Sequence, residues 1–239
     1  MSGHNKWSQI KHKKAKEDSK KGKAFTKLIK EIAVAAKNGG GDPAHNPHLR
    51  LLLDKSKQIN MPLENSQRAI KRGTGELPGV SYEHLTYEGY GPFGIAVMVE
   101  LLSDNKNRTA AEMRRLFTGN GGNLGETGSV GWMFERKGVL RAAIPHANED
   151  GILELCIEDD INVDDIKLDE HVTLVCDQKD LFKARTLIEN LKGTLEDANL
   201  EWVAKGKIEL SDEQAAKAYE FLEAIDNHED VQNVFTNLA

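Results

Sequence analysis

Apolar residues recur with a helical period over the first third of the chain. One stripe has the i, i+3, i+4, i+7 spacing of an amphipathic helix, which the stretch "NGGG" then ends. The stripe consists of Phe25, Leu28, Ile29, Ile32 and Ala36. A second helix is predicted from about Pro47, and a third from "NMP" to just before Gly73. Three helices with short connections predict a small N-terminal bundle.

The period changes from 3.6 to 2 after "GTGELPG". The stretch "EHLTYEGYGPFGIAVMVELL" predicts two strands around a Gly-Pro turn, "NRTAAEMRRLF" a helix and "GSVGWMFE" a third strand. These elements make half of an α+β unit, and the far end of the chain supplies the rest. There, "GKIEL" and "VQNVFTN" predict strands on either side of a helix, which begins with a capping box from Ser211 to Gln214.

The segment between these halves predicts strand, helix, strand, strand, helix, strand, which is the split βαβ pattern of ferredoxin-like folds. The sequence therefore predicts an α+β protein in which one α/β domain is inserted into another. The predicted boundaries are 1–80 for a basic helical domain with an N-terminal arm, 81–135 and 206–239 for the split domain, and 136–205 for the insertion.

Charge is distributed unevenly along the 239 residues. Residues 1–73 hold 17 Lys+Arg and 6 Asp+Glu, a net of +11, and the remainder holds 15 and 32, a net of −17, which together give −6. Such asymmetry points to a polyanion partner at the basic end, from which the acidic remainder would be repelled. Nucleic acid is the first candidate.

The candidate phosphate contacts are lysines of the first 30 residues, which have only Glu17, Asp18 and Glu31 as nearby acidic residues. They are Lys6, Lys11, Lys13, Lys14, Lys16, Lys20, Lys21, Lys23, Lys27 and Lys30. Four of these cluster on the side of the first helix opposite its apolar stripe. Lysine suits base-blind contact with the backbone better than bidentate base reading. Trp7, which lies among these cations, could stack on a base or dock the arm on the bundle.

Two further motifs have a structural and a functional interpretation. The loop "GNGGNLGETGSV" follows a helix and leads into a strand, the reverse of a dinucleotide-binding fingerprint, so turn glycines explain it better than a contact with RNA or a partner. In "SDNKNRT", Asp104 or Asn105 can cap the following helix, and Arg108 in its first turn is a second candidate phosphate contact.

Other classes of function find little support. His45 and His48 lack a third metal ligand at useful spacing, no nucleophile motif is present, and Cys156 and Cys176 are typical of buried reduced thiols. We therefore expect no enzyme, no metal and no small-molecule substrate. No apolar run suits a membrane span or a secretory leader. The cytoplasm is favoured, although the acid-free start through Lys16 leaves organelle import open.

Several of these segments, taken in order, closely resemble the YebC/PmpR family of probable transcriptional regulators, which includes a mitochondrial translational activator. They are "GHNKWSQIKHKKAKEDSKKGKAFTKLIKEI", "GGGDPAHNPHLR", "NMPLENSQRAIKRG", "YEGYGPFGIAVMVELLSDNKNRTAAEMRRLF" and "GGNLGETGSVGWMFERKG". The resemblance runs from Ser2 to about Gly138, and the family's usual proline near Ala204 is missing.

The resemblance implies a three-helix domain followed by two ferredoxin-like α/β domains, with no cofactor and with binding to nucleic acid. By matching position it assigns contacts to the arm from Lys6 to Lys30, to Arg68, Lys71 and Arg72 of "RAIKRG", and to Arg108.

Four functions follow as hypotheses. The first is a regulator of transcription that binds DNA phosphates through the lysine-rich domain. The second is a translation factor that binds ribosomal RNA, associates with the ribosome and supports elongation through proline-rich stretches. The third is a metabolite-sensing or enzymatic module, for which the sequence offers no site. The fourth is a scaffold whose acidic domains dock a basic protein.

Overall fold

A computed structural model describes Trp7 and residues 21–169 and 171–239. The helices are α1 Lys21–Gly39, α2 Pro47–Gln58, α3 Leu63–Gly73, α4 Lys106–Gly119, α5 Glu149–Glu158, α6 Leu181–Asn190 and α7 Asp212–Asp226. The strands are β1 Glu83–Tyr90, β2 Ala96–Ser103, β3 Asn123–Leu124, β4 Phe134–Ala143, β5 Val163–Leu168, β6 Val172–Asp177, β7 Thr194–Ala204 and β8 Val231–Thr236. The strands form two four-stranded antiparallel sheets, which confirms the predicted α+β class.

Helices α1 to α3 form a helical unit with its own small apolar core, built around Leu28, Ile32 and Leu49. Asn46 fixes the turn between α1 and α2, because its side chain caps Leu49 N–H at 3.0 Å and donates to the carbonyl of Ala35 at 2.9 Å. Gly73 allows α3 to approach α1 closely, since a Cβ there would lie 2.2 Å from a carbonyl oxygen. The helices therefore stack as the apolar stripe of α1 predicts.

Sheet A has the strand order β3-β1-β2-β8 and is covered by α4 and α7. Its core includes Phe117 of α4 and Phe221 of α7, whose rings meet edge to face with centroids 5.2 Å apart. Helix α7 begins with the predicted capping box, since Ser211 and Gln214 bond each other's backbone N–H. Strand β8 returns the end of the chain to β2.

Sheet B has the order β5-β6-β4-β7 and the element order β-α-β-β-α-β of a ferredoxin-like unit. Helices α5 and α6 bury their apolar residues on one face of this sheet, against Leu140, Leu174 and Cys176. In the sequence, the four strands of sheet B lie between β3 and β8, and both of those strands belong to sheet A. This order supports an insertion of the sheet B unit into the split α+β unit. The predicted domain boundaries stay predictions.

Two predicted strands are wrong in part. The "GSVGWMFE" segment becomes a strand only at Phe134, because residues Gly131–Met133 form a 3-10 turn. The "GKIEL" segment contributes an isolated bridge between Ile208 and Leu238 in place of a strand. Among the described helices, none combines the length and the apolar character that a bilayer crossing requires.

Candidate nucleic-acid interface

Three of the predicted lysines lie along α1 and face the end of α7 and the loop that follows it. Lys23 donates to the side chain of Asn227 at 3.1 Å, and Lys27 donates to the carbonyl and carboxylate of Asp226 at 2.8 and 3.2 Å. The carbonyls of a helix C-terminus carry partial negative charge, which favours such cations. This lysine row therefore attaches the helical unit to the sheet A unit.

The third lysine makes the strongest of these contacts. Lys30 is buried and bonds one carboxylate oxygen of Asp230 at 2.6 Å, while Thr109 at 2.8 Å and Arg108 at 3.2 Å bond the other oxygen. Burial alone would raise the pKa of Asp230, but the bonds from Lys30, Thr109 and Arg108 hold this pKa below its ordinary value. Asp230 is thus a buried, ionised centre that joins three separate segments.

These contacts bear on the predicted role of the lysines. The acidic remainder was predicted to be repelled from a polyanion bound at the basic end, and two of its residues, Asp226 and Asp230, bind Lys27 and Lys30 directly. Oppositely charged side chains of the same chain attract each other and form ion pairs in the absence of a partner. The assignment of Lys27 and Lys30 to phosphate stays a prediction, and a phosphate that reached Lys30 would have to displace Asp230.

The remaining lysines of the arm, from Lys6 to Lys20, lie outside the described residues, as does the side chain of Lys21. Trp7 is described, and it is buried in the core of sheet A with its ring stacked on Tyr219 at 6.3 Å between centroids. This position fits docking of the arm rather than stacking on a base, although the docking surface is the α/β unit and not the bundle.

The exposed face of α3 carries cations that are open to a partner. Gln67, Arg68, Lys71 and Arg72 are exposed, and the buried Ala69 lies on the opposite side of the helix. Arg68 pairs with the exposed Glu64, a surface contact of small energy. Within the part of the chain that the structure describes, Lys71 and Arg72 make no ion pair.

Gln67 was missed by the sequence analysis, and so were two exposed cations of α2, Arg50 and Lys55. Glutamine carries no charge, so counting charges could not find Gln67. The helical period of α3 supplies the signal, because Gln67 shares a face with Lys71 one turn later. The structure thus adds a side chain that can hydrogen-bond base edges to a face of phosphate-binding cations.

Arg108 lies in the first turn of α4, which Asn105 caps by accepting from the Arg108 N–H at 3.1 Å. Its guanidinium donates to Asp104 at 2.7 Å as well as to Asp230. The bonds to Asp230 and Asp104 raise the pKa of Arg108. Its role as a phosphate contact stays a prediction, and the structure shows both carboxylates already in place around it.

The glycine-rich loop is organised by a buried carboxylate. Glu88 accepts from the backbone N–H of Gly128, Val130 and Gly131 at 2.9, 2.9 and 2.6 Å. Burial would raise the pKa of Glu88, but these three bonds lower it. Amides arranged in this way can bind an anion. In this protein Glu88 occupies them, which supports the interpretation of the loop as structural.

One cluster has the composition of a metal site. Donor atoms of Glu112, His228 and Asp230 lie within 4.8 Å of one another. His228 Nδ1 accepts from the Asp230 N–H at 3.1 Å, and His228 Nε2 donates to Glu112 at 2.9 Å. Both ring nitrogens are thus engaged, and the adjacent Lys30 and Arg108 oppose a further cation. The donor set therefore fits an ion-pair network better than a metal centre.

The fold and this charged face define a helical unit joined to two α/β units, and comparison with known proteins gives the family. The model of the TACO1/YebC N-terminal domain matches residues 5–76, and that of the second and third TACO1/YebC domains matches residues 82–238. The chain belongs to the TACO1/YebC family.

Relatives of similar length support this assignment. A protein of Pelodictyon phaeoclathratiforme named "probable transcriptional regulatory protein" is 47% identical over 100% of this chain and 95% of its own. A protein of Persephonella marina with the same name is 46% identical over 99% of this chain and 95% of its own. The crystal structure of the conserved hypothetical protein Aq1575 from Aquifex aeolicus has a TM-score of 0.83 and 40% identity, and covers 94% of this chain and 93% of that chain.

Proposed function

We propose that this protein is a non-catalytic, cytoplasmic regulator that binds nucleic acid through its helical unit, with DNA as the target in the control of transcription. The observation that carries the proposal is the exposed face of α3, where Lys71 and Arg72 have no carboxylate partner among the described residues. The name that its relatives carry, "probable transcriptional regulatory protein", supports the same class of role.

The physical mechanism is phosphate neutralisation combined with limited base contact. Lys71, Arg72 and the cations of α2 would replace counterions along the backbone, which gives affinity but no sequence information. Gln67 and Arg68 on the same face have the donor and acceptor groups that read purine edges in a major groove. The acidic sheet B unit would be repelled from the same backbone and would set the orientation of the protein.

The test is the binding of a labelled DNA duplex, followed by fluorescence anisotropy between about 50 and 200 mM salt. The double variant Lys71→Glu/Arg72→Glu should lose at least about tenfold in affinity and show a flatter salt dependence. The matched control is Lys179→Glu/Lys205→Glu, which reverses two exposed lysines of the sheet B region and should retain affinity. Equal loss in both double variants, or in neither, would overturn the α3 interface.

A second candidate is a translation factor that binds ribosomal RNA and supports elongation through proline-rich stretches. The observation that favours it is the excess of lysine in residues 1–73, where 14 lysines accompany 3 arginines. Lysine contacts are largely base-blind and suit a folded RNA as well as a duplex. Co-sedimentation with ribosomes at moderate salt, compared with footprinting on promoter DNA, separates the two candidates. Protein found on DNA alone excludes the ribosomal one.

A further inference from the structure

Helix α5 turns an apolar pair outward in addition to the pair it buries. Ile152 and Cys156 face the sheet B core, whereas Leu153 and Ile157, one turn apart, are 41% and 69% exposed. Phe182, in the first turn of α6, is 62% exposed. Single exposed apolar residues are common, but a pair aligned on one helix face is typical of a contact surface.

The two helices are tied together at this end. Lys183 Nζ donates to the carbonyl of Asp160 at 3.0 Å and lies 3.6 Å from its carboxylate. Asp160 follows Ile157 by three residues, and Lys183 directly follows Phe182. The contact therefore brings the start of α6, with Phe182, to the end of α5 that carries Ile157.

The charge around α5 is acidic, apart from Lys183, which is paired with Asp160. Residues 148–166 contain eight acidic residues and no lysine or arginine. Six of the eight lie on α5 or directly after it and are exposed: Glu149, Asp150, Glu154, Glu158, Asp159 and Asp160. Leu153 is next to Glu154 in the sequence, and Ile157 is next to Glu158, so each exposed apolar side chain has an acidic neighbour.

This combination selects the chemistry of a partner. A nucleic acid or an anionic membrane surface would be repelled by the acidic residues. Solvation alone would account for the acids but not for Leu153 and Ile157, which lose favourable free energy while they stay in water. A helix that carries apolar residues one turn apart and lysine or arginine on its flanks satisfies both features.

We propose that the outer face of α5, with Phe182, is a docking surface for a basic amphipathic helix of a partner protein. The apolar residues of that helix cover Leu153 and Ile157, and its cations pair with Glu154 and Glu158. This surface lies on the sheet B unit and uses none of the residues assigned to nucleic acid. It goes beyond the proposed function, and the two can fail independently.

The test uses the full chain and a fluorescein-labelled synthetic helix of leucine and lysine, about 18 residues or five turns long, with its leucines on one face. A permuted peptide of the same composition, with leucines spread around the helix, is the second probe. The amphipathic peptide should bind at least about tenfold more tightly, because its leucines lie on one face of the helix and can contact Leu153 and Ile157 together.

The variant Leu153→Ser/Ile157→Ser should weaken binding of the amphipathic peptide by at least about tenfold. The matched control, Leu63→Ser/Val80→Ser, removes two exposed aliphatic side chains from the basic third of the chain and should bind like the unaltered protein. Equal binding of both peptides, or unchanged binding by the α5 variant, would overturn the proposal.

A charge variant keeps the test independent of the apolar substitutions. Glu154→Gln/Glu158→Gln should leave the apolar pair in place, lower the affinity and reduce its dependence on salt. Binding of a DNA duplex should be unaltered in both α5 variants. A loss of duplex binding in them, with peptide binding intact, would contradict the assignment of this surface to a protein.

Discussion

Among the described residues, the contact between the helical unit and sheet A differs in kind from the contact between sheet A and sheet B. The polar joint links the helical unit to sheet A through Lys27 and Lys30, which bond Asp226 and Asp230. The apolar joint links sheet A to sheet B through a buried cluster, which includes Met98. Charge pairs depend on both partners and on geometry, whereas apolar contact depends mainly on area. Solution conditions should therefore act on the two joints differently.

Polar groups of both sheets meet beside the apolar joint. Glu100 accepts from Trp202 Nε1 and from Asn233 at 3.1 Å each, and it also pairs with Arg136. The Arg136 guanidinium lies 5.2 Å from the centre of the Trp202 ring. These contacts orient the two sheets, and the apolar cluster provides the main driving force. None of the described core clusters combines residues of α1 to α3 with residues of sheet A, and the apolar contact on this side comes from Trp7, which precedes α1.

The largest expected effect is at the polar joint. Asp230→Ala leaves the buried Lys30 ammonium without its carboxylate and should lower the free energy of unfolding by about 3–5 kcal/mol. Urea unfolding followed by circular dichroism measures the change. The control is Asp226→Ala, whose partner Lys27 is less buried, and it should cost about 1 kcal/mol or less. Equal losses in the two variants would show that burial of the pair is not what matters.

At the apolar joint, Met98→Ala should lower the free energy of unfolding by about 3 kcal/mol, because it leaves a cavity at a position that is 2% exposed. This loss should be the same at low and at high salt, since no charge is removed. The unfolding free energies of Met98→Ala and Asp226→Ala, each compared with the unaltered chain at two salt concentrations, test the contrast. A salt-dependent cost for Met98→Ala would contradict it.

Much of this architecture could be predicted from the sequence, because it follows from local patterns. The stripe from Phe25 to Ala36 and the capping box at Ser211 depend on residues within one or a few turns of each other. The polar joint could not be predicted in this way. Lys30 and Asp230 are separated by 200 residues, and a lysine row has the same sequence pattern whether it meets a phosphate or a carboxylate.

A contact between residues that are distant in the sequence also explains the misassigned strand. The segment "GSVGWMFE" has apolar residues suited to a strand, but Glu88 takes the amides of Gly128, Val130 and Gly131. Amides bonded to a carboxylate cannot join a ladder with a neighbouring strand. In the candidate interface, Lys71 and Arg72 were assigned by the resemblance to the family, whereas Gln67 became visible only when the exposed face of α3 was known.

Acidification should weaken the polar joint before the apolar one. The pKa of Asp230 is held below its ordinary value of 3.8, chiefly by Lys30, Thr109 and Arg108 acting against burial. At a pH below 3.8, the unfolded state binds more protons than the folded state. The contribution of ionised Asp230 to the free energy of unfolding is therefore present above about pH 4 and is lost as the pH falls through the pKa of the folded state. The effect should be smaller than that of Asp230→Ala, because protonation leaves the side chain in place.

Urea unfolding between about pH 6 and pH 3 measures this loss. Asp230→Asn removes the titrating group and keeps its shape, so its stability should decline less steeply over the same range. Met98→Ala should decline in parallel with the unaltered protein, since Asp230 is intact in it. A curve for Asp230→Asn as steep as that of the unaltered chain would assign the acid sensitivity to other carboxylates.

The smallest expected effects are those of single lysine substitutions along α1, which distinguish lysines that support the fold from lysines that can bind a partner. Along α1, exposure falls from Lys23 through Lys27 to the buried Lys30. Lys23→Ala removes one exposed hydrogen bond to Asn227 and should cost less than about 0.5 kcal/mol, with Lys27→Ala costing more and Lys30→Ala the most. The loss of affinity for a DNA duplex should not follow this order, because the exposed Lys23 ammonium has three donors and can reach a phosphate while it keeps its bond to Asn227. If Lys30→Ala reduced duplex binding more than Lys23→Ala while the protein remained fully folded, the polar joint would have to open when nucleic acid binds.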